Sequence, residues 1–317
     1  MTKNIAFQII IDALLDDSNP FPHHYLYLFS DIEPWQLKLL LKVWQQVSLA
    51  RQHALLEDLE ELAEDDTLLC FDDLARALLQ DPDSQVRVQA LRLLWECEDA
   101  KLVPTFLEIL TEDSDVNVRV AAATALGLFI YLGEIEEIAV QTLHKVEDSL
   151  LTVIHSDEET LVRRRALEAL GWSSRPEVPA LIEAGYAESN ADWKVSALFT
   201  MGHSGDECWG KYVLSNLRNR NEAIRLEALR AAGELALASA RPILLDVLAD
   251  EEDMETRHEI IWVLTKIGGA EVNDRLLELL EMAEDDEEET EFLDEALENL
   301  ASTEEVTNFD LLDFEDD

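Results

Sequence analysis

The chain has few of the residues that cross-link or punctuate a fold. Its 317 residues include three cysteines, Cys70, Cys97 and Cys208, an odd number with no close pair, so neither a disulfide framework nor a CxxC metal knuckle is available. Cys70 and Cys97 read instead as small apolar residues in helical segments. Glycine and proline number only 10 and 8, and no strand-like alternation persists between turn signals, which predicts an all-helical protein. Bases are scarce too, with 24 Lys and Arg against 69 Asp and Glu. A chain of net charge −45 repels nucleic acid phosphates and anionic lipid and attracts basic proteins. Lys3 is the one early side-chain base, and Asp12, Asp16 and Asp17 follow the apolar run Ile9-Ile-Ile11, a pattern unlike a secretory signal. No apolar run reaches the roughly 18 residues that a membrane span needs. The expected compartment is the cytoplasm.

Chemical motifs are also missing. There is no glycine-rich phosphate loop, GxSxG elbow, HExxH pair or cluster of cysteines with histidines. His23 and His24 sit in the proline-bearing stretch Ser18-Asn-Pro-Phe-Pro-His-His24, and His53, His144, His155, His203 and His258 are dispersed. No catalytic residue, cofactor site or metal site is readable.

What is present is a repeat. A cation recurs at Arg87, Arg119, Arg163, Lys194, Arg225 and Arg257, with gaps of 32, 44, 31, 31 and 32 residues. Taking the cation as offset zero, offsets −1, +3, +4 and +7 are apolar in every unit except at Thr256. Offsets +3, +4 and +7 share one helical face, so each unit presents a stripe that must be buried on a neighbour. Gly127, Gly171, Gly202 and Gly233 follow at offset +8, where a helix ends or another backbone comes close. Turns such as Asp81-Pro-Asp-Ser84 and Glu112-Asp-Ser-Asp115 precede the cation and can cap the helix that carries it. Amphipathic segments such as Leu102–Leu110 and Pro242–Leu248 precede the turns, which makes the unit helix, turn, helix. The six cations are expected to reach turn carboxylates of an adjacent unit, as a structural ladder that sets the stacking.

Strings such as Val118-Arg-Val-Ala-Ala-Ala-Thr-Ala-Leu-Gly127 and Val162-Arg-Arg-Arg-Ala-Leu-Glu-Ala-Leu-Gly171 resemble HEAT repeats of the short type found in phycobilisome lyase subunits and their relatives. The resemblance implies a right-handed α-solenoid of about seven to eight helix pairs. It also implies two enzymatic alternatives. One is a lyase-like subunit that handles a bilin chromophore with a partner chain. The other rests on Arg257-His-Glu-Ile-Ile-Trp-Val-Leu264, which resembles the His-Glu motif of deoxyhypusine hydroxylase, in which several such pairs hold two irons. Carried over, His258 and Glu259 would be metal ligands, but the chain has no second His-Glu pair.

The array is expected over residues 67–282. Residues 1–66 then form a divergent helical cap, with helices near Ile5–Leu15, Trp35–Val47 and Leu49–Ala63. Residues 283–317 form an acidic tail with a last helix over Phe292–Leu300 and disorder from Ala301. The long 44-residue gap places about twelve extra residues near 133–144, expected to lengthen the first helix of the next unit or to add a short one.

A binding surface is the function left. Offset +5 reads Arg92, Thr124, Glu168, Phe199, Arg230 and Trp262. Its last three residues set two aromatics about an arginine, the residue types that dominate interface hot spots. The expected function is a non-catalytic scaffold or assembly factor that binds a basic protein partner, with Phe199, Arg230 and Trp262 in the contact.

Overall fold

The computed structural model describes residues 2–283 and 286–313, and every regular element among them is a helix. They form two compact units, Met1–Ala169 and Leu170–Asp317. The first contains α1 (Thr2–Leu14), α2 (Pro34–Val43), α3 (Leu49–Asp65), α4 (Asp72–Leu78), α5 (Ser84–Arg92), α6 (Val103–Glu112), α7 (Val116–Glu134), α8 (Val140–His155) and α9 (Thr160–Ala169). The second contains α10 (Val178–Ala187), α11 (Ala191–His203), α12 (Gly210–Asn216), α13 (Glu222–Glu234), α14 (Arg241–Asp250), α15 (Met254–Ile267), α16 (Ala270–Met282) and α17 (Glu287–Asp313). The class is an α-solenoid of helix-turn-helix repeats.

Each cation lies on the second helix of its pair, and the local sequence starts that helix. Asp83, Asp115, Asn190, Asn221 and Asp253 stand four residues before their cations as N-caps, and each side chain accepts an amide of the first turn. Such caps contribute about 1 kcal/mol each. Several first helices begin with proline in their first turn, as α6, α10 and α14 do, where the missing N–H has no helical partner to lose. At offsets −1, +3, +4 and +7 every residue is buried except Trp193 and Thr256, which are half-buried. The repeat stripe is therefore the core.

Successive second helices pack closely, α5 on α7 in the first unit and α11 on α13 on α15 in the second. Gly202 and Gly233 lie within α11 and α13, and they serve that approach. A Cβ on Gly202 would stand 3.0 Å from the Ala231 Cα, and one on Gly233 would stand 3.3 Å from Val263 Cγ1.

Several expectations need correction. The extra residues lengthen two helices, since α7 runs 19 residues and α8 runs 16, where α6 and α10 have 10. One helix, α7, is long and apolar enough by length and composition to cross a membrane, at a mean hydropathy of 1.5, although the sequence reading found no such run. The cause is packing: α5, α6, α8 and α9 all lie against α7, so its Leu126, Phe129, Ile130 and Leu132 are buried. Arg119 interrupts the stretch and hides it from a search for unbroken apolar sequence. Cys97 is buried but follows α5 rather than lying in a helix, and Cys70 is exposed in the segment before α4. Residues 301–313, expected to be disordered, continue α17 as helix, because no proline or glycine interrupts them. The rest of that expectation, residues 314–317, lies outside the described residues.

Candidate functional site

The arginines at offset zero share one partner, the turn of their own repeat. Nη1 of Arg87, Arg119, Arg225 and Arg257 donates to the carbonyl six residues earlier, on Asp81, Asp113, Asn219 and Glu251, at 2.8, 2.8, 3.1 and 3.2 Å. Arg163 reaches the Ile154 carbonyl through Nε at 2.9 Å. Lys194 stands over the Tyr186 ring, 4.8 Å from its centroid. The five arginines thus hold carbonyls at the C-terminal end of a first helix or in the turn just beyond it, which have no helical donor of their own.

Arg87 and Arg119 also reach forward to the next turn. The Arg87 guanidinium forks onto both oxygens of Asp113 at 2.8 Å, and Arg119 forks onto Glu158 at 3.0 and 2.8 Å. Asp113 thus links consecutive repeats, its carboxylate to Arg87 and its carbonyl to Arg119. Burial pushes the Asp113 carboxyl up, yet the Arg87 fork and the Asp115 amide outweigh burial and hold it below the usual carboxylate range. The Arg119 fork holds Glu158 low against burial in the same way.

Phe199, Arg230 and Trp262 come from α11, α13 and α15 in turn, and each has a different setting. Phe199 is half-buried, edge-on to Trp172 at 6.1 Å between centroids and 4.3 Å from the His203 ring. Arg230 is exposed, with Nε 2.7 Å from Glu259 Oε1. Trp262 is half-buried. The three form a row along successive helices rather than one cluster.

A second row runs beside them at offset +9, which the sequence reading did not tabulate. It holds Trp172, His203, Glu234 and Lys266. Trp172 and His203 stack at 4.4 Å, and Lys266 Nζ lies 2.7 Å from Glu234 Oε1. The signal was available, because each of the four stands nine residues after its cation. Burial lowers the proton affinity of His203, Glu234 opposes that shift, and Lys266 adds to it.

His258 and Glu259, the residues of the hydroxylase-like string, are held apart by different partners. Glu259 accepts from Arg230, while His258 Nε2 lies 2.5 Å from Glu289 Oε2 and its ring stacks on Phe292 at 3.9 Å. No group of three or more His, Cys, Asp or Glu with the arrangement of a metal site occurs among the described residues. A shallow depression on α8, lined by Asp148, Leu151, Thr152, His155 and Ser156, draws on one helix and its end. Such a surface does not enclose a chromophore.

The charge left on the second unit is acidic. Residues 170–317 carry 37 Asp and Glu against 11 Lys and Arg. Most of those cations are engaged locally, as in Arg175–Glu177, Arg218–Asp246, Arg230–Glu259, Lys266–Glu234 and Arg275–Glu278. Acids outnumber them more than threefold, so the excess has no cation within the unit.

Helix pairs joined by capped turns, stacked through one apolar stripe and tied by a cation at fixed offset, define an α-helical repeat protein. A family model for HEAT repeats matches residues 71–146 and 211–298, just over half of the chain, and the chain belongs to that family. Comparison with curated proteins gives no match. Among solved structures, Escherichia coli YibA is similar at 19% identity, over 76% of this chain and 96% of that one, with a TM-score of 0.36. Human deoxyhypusine hydroxylase in complex with glycerol is similar at 17% identity, over 84% and 97% of the two chains, with a TM-score of 0.35. Kap121p is similar at 16% identity, over 95% of this chain and 42% of that one, with a TM-score of 0.42. Likeness at these scores adds nothing to the family match.

Proposed function

We propose that this HEAT-repeat protein is a non-catalytic scaffold or assembly factor that binds a basic protein partner in the cytoplasm. The observation that carries the reading is the charge balance: most cations of the second unit are already bound by neighbouring groups, and its acids outnumber its cations more than threefold. Long-range attraction then steers a basic surface toward the array, and the offset +5 row of Phe199, Arg230 and Trp262 supplies short-range contact. Residues 1–66 cap one end of the array, since the ends of a repeat stack need a modified unit, and residues 283–317 add acidic charge at the other.

The test is affinity capture from the native host with the full chain at about 50 mM salt, followed by identification of what is retained. A captured protein with a basic surface that is released at high salt, and that Trp262→Ala fails to retain, supports the reading. An acidic partner contradicts it.

A further inference from the structure

Three rings of the second unit meet on the same side as the offset +5 row. Trp172 comes from the 3-10 turn Leu170–Trp172, and Phe199 and His203 come from α11. Their centroids are 4.4, 4.3 and 6.1 Å apart. Gly171 lies beneath them, where a Cβ would stand 3.1 Å from the His203 Cβ, so the backbone approach brings the rings together.

Packing alone does not account for the trio, because all three rings are half-buried rather than buried. Half-open aromatic surface on a chain of charge −45 is unusual in one chemical respect. Ring faces carry negative electrostatic potential, and the net charge of the chain has the same sign. Burial lowers the proton affinity of His203, which disfavours a positive charge there. The carboxylate of Glu234 lies on the same row and interacts with His203, and one of its oxygens holds Lys266.

Half-open ring faces beside a carboxylate suit one side chain above others. A guanidinium is planar and weakly hydrated, stacks on rings, and offers several N–H donors to a carboxylate, whereas an ammonium is compact and strongly hydrated. We propose that Trp172, Phe199 and His203, with Glu234 at their edge, form a seat for an arginine side chain of the partner. This rests on the reading of the chain as a binder of basic protein and adds the chemistry that the partner must present.

The test uses the full chain and two synthetic peptides of equal length and charge, one of alternating Gly and Arg and one of alternating Gly and Lys, at about 50 mM salt. Calorimetry should show the arginine peptide binding about fivefold more tightly than the lysine peptide, the ratio that stacking on an exposed ring supports. Trp172→Leu and Phe199→Leu should each remove that ratio while both peptides still bind. Trp95→Leu, at an exposed tryptophan of the other unit, should leave the ratio unchanged. If Trp172→Leu loses its helical circular dichroism, Phe199→Leu decides. Equal binding of both peptides by the wild-type chain, or a ratio that survives both ring variants, overturns the seat and leaves the acidic scaffold standing. Failure to bind either peptide overturns both.

Discussion

Glu289 follows Arg257 by 32 residues, at the position a cation holds in the six preceding units, and its carboxylate meets the His258 Nε2 at 2.5 Å. The frame continues past it, for Leu293 and Ala296, at offsets +4 and +7, are buried. The pair α16 and α17 is therefore a further repeat with the sign of its offset-zero residue reversed. His258→Ala removes both this contact and the stack on Phe292, a loss of about 1–2 kcal/mol. Amide exchange over residues 287–300 should quicken roughly tenfold, with α11 and α13 unaffected. Unchanged protection over 287–300 would show that the pair does not hold the helix.

The inter-repeat forks of the first unit should set its response to acid. Glu158 is held below its ordinary value of 4.5 by Arg119. A carboxylate with a depressed folded pKa contributes stability that is present above that ordinary value and lost as pH falls through the folded one. The wild-type chain should thus lose stability more steeply below pH 4.5 than Arg119→Gln does. Arg87→Ala should cost about 2–3 kcal/mol, since it leaves Asp113 poorly solvated without its fork. Chemical denaturation across a pH series measures both, and parallel curves for wild type and Arg119→Gln would refute the assignment.

The second unit responds in the same direction for a different reason. Burial depresses His203 below 6.5, so its neutral ring contributes stability that is complete above that value and lost as pH falls toward the folded pKa. His203→Phe should flatten the stability of the second unit between about pH 7 and pH 5. A slope that persists in the variant would place its origin elsewhere.

Gly202 and Gly205 separate two roles of glycine. Gly202→Ala gains about 1 kcal/mol of helix propensity, but its Cβ meets the Ala231 Cα at 3.0 Å, an overlap that costs about 1–3 kcal/mol when backbones must part. The net effect should be destabilising. Gly205 has open space but φ of +64°, so Gly205→Ala should cost about 1 kcal/mol through backbone strain alone. Thermal melts of the two variants decide, and a stabilised Gly202→Ala would show that α11 and α13 have room to spare.

The repeat was legible because burial acts at fixed offsets: the apolar stripe, the N-caps and the glycine all follow from helical geometry applied to a 32-residue period. Glu289 was not legible, because a search keyed to a cation passes over a unit whose offset-zero residue is an acid. Trp172 and His203 were missed for a related reason. They lie 31 residues apart, on a row one helical turn beyond offset +5, and only the close passage over Gly171 shows that they stack. The partner that Arg87 and Arg119 share, the carbonyl of their own turn, leaves no mark in sequence, since every residue has one.

The central claim is that charge brings the partner and the aromatic row holds it. It is tested most directly by the kinetics of the captured partner with the full chain and with Trp262→Ala, at about 50 mM and about 500 mM salt, a change that shortens the screening length about threefold. Association should slow at least tenfold at the higher salt for both proteins, and dissociation should quicken in Trp262→Ala at either salt. An association rate that does not respond to salt, or a Trp262→Ala chain that is folded and dissociates at the wild-type rate, would contradict the account.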